Sequence, residues 1–205
     1  MFTQYFEYLR IDKKWAKLIK AVKVDDDEAE YHQIFVDKSS IIASDGRQVI
    51  RIERPLDVEL GIGLYIMADR IFLPVAGNEL TLERFPKFHL MMEKTKYTKT
   101  AMMTLTDYPL LAMSRLDSDF GVIFDIDNFR GTVEALASFE PTYFRAFGYE
   151  DKEESSSQGI QFECIIEEDG REPVTVDYMV MPMKINRQDL CKVDAQPLLF
   201  EIESK

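Results

Sequence analysis

Few residues in this chain have the types and spacing that catalysis or metal binding requires. Asp125 and Asp127 could offer two carboxylates to a divalent cation, but their place at a predicted strand-to-helix junction favours helix capping. His32 and His89 are isolated, with no HExxH motif and no Cys/His cluster. No serine or cysteine lies in a nucleophile-elbow sequence, and no phosphate-binding loop is present. We therefore expect a protein that is not an enzyme and that needs no metal and no cofactor.

The clearest chemical pattern is a set of lysines on one predicted helix, residues 12–23, with Asp12 as its N-cap. Its apolar stripe has helical spacing and consists of Trp15, Leu18, Ile19 and Val22. The other face carries only cations, namely Lys13, Lys14, Lys17, Lys20 and Lys23. Such a face suits contact with phosphates. It also suits a solvated helix that keeps the protein soluble, and both interpretations stay open.

The net charge of −12 excludes a uniformly basic nucleic-acid binder. Residues 1–100 contain 16 Lys and Arg against 16 Asp and Glu, whereas residues 101–205 contain 9 against 21. The whole acidic excess therefore lies in the second half, and the first half is neutral despite its lysine-rich helix. This division is compatible with one cationic surface on an otherwise acidic protein.

The composition predicts a soluble, cytoplasmic protein. Of the 205 residues, 46% are hydrophobic, which is enough for a core. Two cysteines, Cys164 and Cys191, are too few for a disulfide framework and indicate a reducing compartment. The N-terminus does not read as a signal peptide, and no segment reaches the ~18 apolar residues of a membrane span. We expect no membrane association.

The order of predicted elements repeats. A strand over 2–9, the helix and three antiparallel strands are followed, in the second half, by a strand over 120–126, a helix capped by Asp127 or Asn128, and three more strands. The fold class is therefore α+β, with two β-α-β-β-β units, antiparallel sheets and amphipathic helices.

The stretch 55–119 is harder to interpret. Within it we expect two strands around an Ala76–Asn78 turn and a short helix in 86–97. The stretch is either an insertion between two repeats of one domain or the remainder of two compressed modules. The chain accordingly divides into an N-terminal half, 1–100, and an acidic C-terminal half, 101–205.

Two strings, ASDGRQVI at 43–50 and YMVMPMKI at 178–185, resemble the bacterial sliding clamp, the β subunit of the replicative DNA polymerase. The string LERFPKF at 82–88 is a weaker likeness to the same family. The resemblance implies a reduced or divergent member with a DNA-clamp fold, in which helices line a ring around duplex DNA and sheets lie outside. The five lysines would then be the DNA-binding residues.

The resemblance also implies a pocket that receives a short peptide from a DNA polymerase or another partner. The corresponding positions are Ser44, Asp45, Gly46, Arg47, Gln48, Val49, Val180, Met181, Pro182 and Met183. Methionines suit such a site because they adapt to related peptides. In the family the two strings lie in different domains, so their meeting in this chain is an open question.

A tail over 186–205 continues past the second string. Its residues Gln196, Leu198, Leu199 and Phe200 resemble the peptide by which partners bind the clamp. The tail either docks into the pocket of its own or a neighbouring subunit, or it is a closing strand that packs into the core.

The leading hypothesis is a sliding-clamp-like DNA replication accessory, a processivity factor that binds duplex DNA without sequence specificity, recruits partners through the peptide pocket and forms a homo-oligomer. The alternative is a clamp-fold protein-interaction module without DNA binding.

Overall fold

The computed structural model describes residues 10–22, 34–53, 60–75, 92–103, 120, 126–141, 144–151 and 158–181. Within these ranges the helices are α1 (Lys13–Val22), α2 (Ile126–Ala137) and a short 3-10 helix (Lys94–Lys96). The strands are β1 (Ile34–Val36), β2 (Ser40–Ser44), β3 (Gln48–Glu53), β4 (Gly63–Ala68), β5 (Ile71–Pro74), β6 (Lys99–Met103), β7 (Phe144–Gly148), β8 (Ile160–Ile166) and β9 (Val174–Val180). Neither described α-helix is long and apolar enough to cross a membrane.

All nine described strands form one antiparallel sheet in the order β5-β4-β1-β2-β3-β9-β8-β7-β6. The strands that follow α1 and those that follow α2 meet at the centre, where β3 pairs with β9. The predicted α+β fold class with antiparallel strands is confirmed, and the described strands form one large sheet where two units with their own sheets were expected.

Each α-helix is followed by a three-stranded meander, β1-β2-β3 after α1 and β7-β8-β9 after α2. The predicted strand over 2–9 lies outside the described residues. The predicted strand over 120–126 is wrong at both of its described residues, because Phe120 is helical and Ile126 already begins α2. Residues 121–125 lie outside the described residues. An apolar run followed by a possible capping residue is compatible with a strand or with a helix. The sequence pattern therefore predicted a helix start that is later than the observed one.

The two helices pack against each other, and the face of the sheet that shares their core is here called the inner face. Trp15 of α1 lies against Phe139, just beyond α2, with ring centroids 4.5 Å apart. The ring centroid of Phe129 in α2 lies 5.7 Å from that of Phe162 in β8 and 6.3 Å from that of Tyr178 in β9. These side chains are buried in one apolar core that draws on both halves of the chain. Burial of each large apolar side chain stabilises the fold by about 1.5–3 kcal/mol.

The stretch 60–103 adds the outer strands of the sheet. The chain reverses between β4 and β5 at Asp69, which has φ 56°. The turn predicted at Ala76–Asn78 is therefore preceded by an earlier one, and 76–78 themselves lie outside the described residues. Asp tolerates the left-handed region better than most residues, so an Asp-Arg pair can form a tight hairpin without glycine. The short helix predicted within 86–97 is a single 3-10 turn where the structure describes it.

Candidate functional site

The cationic face of α1 is the first candidate site. Lys13, Lys14, Lys17 and Lys20 are all exposed, and the helix contains no acidic residue. Asp12 caps its N-terminus, since the Lys14 N–H donates to Asp12 Oδ1 at 2.8 Å. Lys23 lies outside the described residues.

The apolar stripe of α1 holds these lysines in place. Its buried residues are Trp15, Ala16, Leu18, Ile19 and Val22. Because they fix the rotation of the helix about its axis, the lysine face points away from the sheet. Lys14 also lies over the Phe139 ring, with Nζ 5.6 Å from the ring centroid.

The exposed side of α2 differs from that of α1. Arg130 Nε lies 2.7 Å from Glu134 Oε1, one turn along the same helix. The two charges compensate each other, so the cationic surface of the described helical layer is concentrated on α1. The positive electrostatic potential of this surface is therefore expected to be stronger over α1 than over α2.

The second candidate site is the place where the two strings meet. β3 pairs with β9 so that Gln48 lies opposite Val180, and Val49 lies opposite Met179. The pairing continues beyond the strands, because the Met181 N–H donates to Arg47 O at 2.9 Å. The structure therefore brings together most of the residues that the resemblance assigned to a peptide pocket. Pro182, Met183 and the tail residues Gln196, Leu198, Leu199 and Phe200 lie outside the described residues.

The turn between β2 and β3 is held by its own side chains. Asp45 Oδ1 accepts from the N–H groups of Arg47 at 2.8 Å and Gln48 at 2.7 Å. Ser44 Oγ donates to Gln48 O at 2.9 Å and accepts from the Gly46 N–H at 3.0 Å. Gly46 has φ 83°, a conformation that glycine adopts without strain. These bonds preorganise the turn and leave Arg47 exposed at its tip.

The predicted pocket residues divide between the two faces of the sheet. Gln48 and Val180 point to the inner face, where Val180 is part of the main core. Gln48 Oε1 accepts from Thr132 Oγ1 of α2 at 3.1 Å and from Tyr178 OH at 2.9 Å. Val49 points to the opposite, outer face. Residues adjacent along a strand cannot share a face, so one pocket cannot contain the side chains of both Gln48 and Val49.

An apolar cluster on the outer face was missed from the sequence. It contains Ile42, Val49, Met92 and Met179, with Phe35 packed against it. Met179 belongs to the second string, but the resemblance drew attention to Val180 and Met181 instead. The alternation of side chains along a strand could have predicted this cluster, because Met179 and the core residue Val180 must point to opposite faces of the sheet.

A row of charged residues lies next to this apolar cluster on the outer face, two residues further along β3 and β9. Arg51, Asp177, Glu163 and Arg145 lie opposite one another in register across β3, β9, β8 and β7. Asp177 is fully buried, and its Oδ2 accepts from Arg51 Nε at 3.0 Å and Nη2 at 2.5 Å. No sequence motif marks this row, since its four members become neighbours only through strand pairing.

Lys94 of the 3-10 helix completes the row. Its Nζ lies 2.9 Å from Asp177 Oδ1 and also pairs with Glu163 Oε2. Burial alone would lower the pKa of Lys94, but the two carboxylates outweigh burial and raise it above 10.5. Lys94 is therefore a permanent cation that ties the 3-10 helix to the outer face.

The described residues contain no group of three or more His, Cys, Asp or Glu side chains placed to hold a metal ion. Both histidines lie outside the described residues. Cys164 is buried, and burial together with nearby carboxylates raises the pKa of its thiol to about 12. A thiol of this kind is a poor nucleophile.

No protein-family model and no curated protein matches the chain. Among solved structures, it is similar to the Helicobacter pylori beta clamp in complex with 3,4-difluorobenzamide, at 9% identity over 86% of this chain and a TM-score of 0.49. It is similar to the same organism's beta clamp bound to a DNA ligase peptide, at 10% identity over 86% of this chain and a TM-score of 0.48. It is also similar to the DNA polymerase III beta subunit of Thermotoga maritima, at 9% identity over 86% of this chain and a TM-score of 0.48. The chain spans 66%, 65% and 65% of the length of these three chains, respectively.

Proposed function

We propose that this protein is a sliding-clamp-like accessory factor of DNA replication, which binds duplex DNA without sequence specificity and has no enzymatic activity. The observation that carries the proposal is the face of α1, where four exposed lysines stand on a helix without acidic residues. Long, flexible cations of this kind contact phosphates and do not read base edges.

The strength of the proposed interaction follows from counterion release. Each phosphate that a lysine neutralises contributes roughly −0.9 to the slope of log affinity against log salt. Four lysines of α1 therefore give a slope of roughly −3 to −4 when all of them engage. The acidic second half of the chain disfavours DNA contact elsewhere, which directs the duplex to the helical layer.

Under this proposal the halves 1–100 and 101–205 act as two clamp-like units joined through the β3–β9 pair. Closure around DNA then requires further copies of the chain, so the protein functions as a homo-oligomer. Light scattering tests this requirement, and a strict monomer at high concentration would speak against encirclement.

The second part of the proposal is a peptide site at the junction of the two strings, used by a DNA polymerase or other partners. It is supported by the pairing of Gln48 with Val180 and by the ordered turn at Asp45. The tail residues Gln196, Leu198, Leu199 and Phe200 are a candidate occupant. Deletion of 196–205 tests this role, which requires a change in peptide affinity or oligomeric state without loss of the fold.

A protein-interaction module without DNA binding is the second candidate function. The observation that favours it is the Arg130–Glu134 pair on α2. Because these two charges cancel, the pair gives α2 no net positive charge with which to attract DNA. The two functions differ in salt dependence, because a module of this kind shows no salt-sensitive binding to duplex DNA.

Retention on circular DNA tests the leading proposal. A clamp stays on a closed circle and is lost when the circle is cut, whereas a simple binder behaves alike on both. Charge reversal of Lys13, Lys17 and Lys20 to Glu is expected to abolish retention, because it replaces three attractions by three repulsions.

The matched control reverses the same amount of charge away from α1. Lys38 and Arg171 are exposed in turns of the sheet and Lys99 is half-buried on the edge strand β6, so their change to Glu alters net charge equally. We expect this control to keep retention within about twofold of the parent. Equal losses in both variants would show a net-charge effect and would overturn the role of α1.

A further inference from the structure

The segment 92–98 crosses the outer face of the sheet and contacts it mainly through side chains. Met92 is buried in the apolar cluster with Ile42, Val49 and Met179. At its other end, the Tyr97 ring lies 5.2 Å from that of Tyr149, and the Thr98 N–H donates to Gly148 O at 3.0 Å. The segment thus covers part of the sheet next to the proposed peptide site.

The spacing of its anchors matches the spacing of the sheet. Val49 and Met179 form one apolar pair, and two residues further along the strands Arg51 and Asp177 form a charged pair. Met92 belongs to the same apolar cluster as the Val49–Met179 pair, and Lys94, two residues later, reaches Asp177. Glu93, between the two anchors, has extended backbone angles (φ −75°, ψ 109°), and an extended residue directs its two neighbours to the same side, so an apolar residue and a cation two positions apart fit both pairs at once.

Charge complementarity strengthens the match. The carboxylates of Asp177 and Glu163 lie side by side on β9 and β8, and both pair with the single ammonium of Lys94. Asp177 is fully buried, so a cation placed there is shielded from water and interacts more strongly than at the surface. We name this surface the outer-face patch: Ile42, Val49, Met179, Asp177 and Glu163.

We propose that the segment 92–98 is an internal ligand of the outer-face patch and masks it against partners. The partner that fits is an extended protein segment with a large apolar residue followed, two positions later, by a lysine or arginine. This inference rests on the proposed peptide site, because Val49 belongs to both that site and the outer-face patch. It adds that the site is autoinhibited by the segment 92–98. A partner must displace Met92 and Lys94 before it can bind.

Binding of the segment in trans tests the proposal. The probe is a fluorescent peptide of residues 90–99, and the protein is the full chain with Met92→Ala and Lys94→Ala, which weakens both internal anchors. Because the tethered wild-type segment competes at a high effective concentration, the double variant is expected to bind the probe at least tenfold more tightly than wild type. Fluorescence anisotropy measures both affinities.

Two controls define the specificity of this binding. The variant Thr95→Ala/Lys96→Ala changes the same segment and removes the same charge but keeps both anchors, so it is expected to behave as wild type. A probe with alanine at the positions of Met92 and Lys94 is expected to lose at least tenfold in affinity for the double variant. Equal binding of the original probe to wild type and double variant would overturn the masking.

The single variant Lys94→Ala keeps the test decisive if the double variant does not fold, because it removes no apolar side chain from the cluster. It is expected to bind the probe more tightly than wild type by several fold. If a folded variant does not bind the probe, the internal-ligand proposal is overturned. The role of the tail at the peptide site is judged separately, by deletion of 196–205.

Discussion

Arg51 and Asp177 face each other across the central β3–β9 pair, and the guanidinium of Arg51 donates two hydrogen bonds to one oxygen of the buried carboxylate. The other oxygen accepts from Gln161 Nε2 at 3.1 Å and pairs with Lys94. Asp177 therefore compensates two cations that come from different parts of the chain. Its burial makes the arrangement sensitive to the loss of its charge.

Asp177→Asn is expected to lower the free energy of unfolding by about 3 kcal/mol, because it leaves two partly buried cations without their shared countercharge. Urea unfolding measures the change. Glu134→Gln is the control, since it breaks the exposed pair with Arg130 and is expected to cost less than about 1 kcal/mol. Similar losses in both variants would contradict the role assigned to burial.

Thr132→Val and Tyr178→Phe are each expected to cost about 1 kcal/mol, because each removes one of the two hydroxyl groups that donate to Gln48 Oε1. The double variant is expected to cost more than the sum, since the buried amide oxygen then loses both donors. A double-mutant cycle by chemical denaturation measures the coupling. Strict additivity would show that the oxygen finds another donor.

Glu140→Gly is expected to stabilise the protein by roughly 0.5–1 kcal/mol. Glu140 lies three residues past the end of α2, where its N–H donates to Ala137 O at 3.0 Å, and its φ of 54° places the Cβ of an L-residue against the backbone, a conformation that glycine adopts freely. The same substitution at Glu134, inside the helix and exposed, is expected to destabilise by about 1 kcal/mol. Thermal unfolding of both variants gives the two signs, and a loss at both positions would contradict the capping argument.

Asp37 is expected to make stability depend on acid pH. Burial alone would raise the pKa of Asp37, but hydrogen bonds from Ser39 and Ser40 outweigh it and hold the pKa below 3.8. The unfolded chain then binds the proton more readily, so the stabilisation is present above about pH 4 and is lost as pH falls through the lowered folded pKa.

The variant Asp37→Asn tests this dependence, because an amide oxygen can accept the same bonds without titrating near this pH. The difference in unfolding free energy between wild type and variant is expected to shrink as pH falls from 5 to 2. A constant difference over this range would exclude Asp37 as the titrating group.

The local pattern of the chain was enough to predict some elements. Spacing alone defined α1, its Asp12 cap and its buried stripe, because an amphipathic helix carries its own signal. The turn at Asp45 also has a local signal in the sequence, since Asp-Gly between two apolar runs is typical of a hairpin. The predicted start of α2 was wrong, and the reversal at Asp69 was not predicted. In both places the local pattern is also compatible with a continuous strand.

The candidate sites were less predictable than the elements. The resemblance indicated Val49 and Val180 together, but strand alternation places them on opposite faces of the sheet. The row from Arg51 to Arg145 and the cluster that contains Met92 and Met179 depend on packing and pairing between residues far apart in the chain. Such pairing follows from the folded sheet, and no window of the sequence contains it.

The pairing of Gln48 with Val180 joins residues separated by most of the chain. A nascent chain that has emerged only as far as β8 possesses the Asp45 turn but has no strand to complete its surface. The proposed partner site therefore arises only once β9 has been synthesised, and a partner that recognises it distinguishes chains that contain β9 from shorter nascent chains. Binding of such a partner would then be restricted to chains in which both halves have folded onto each other.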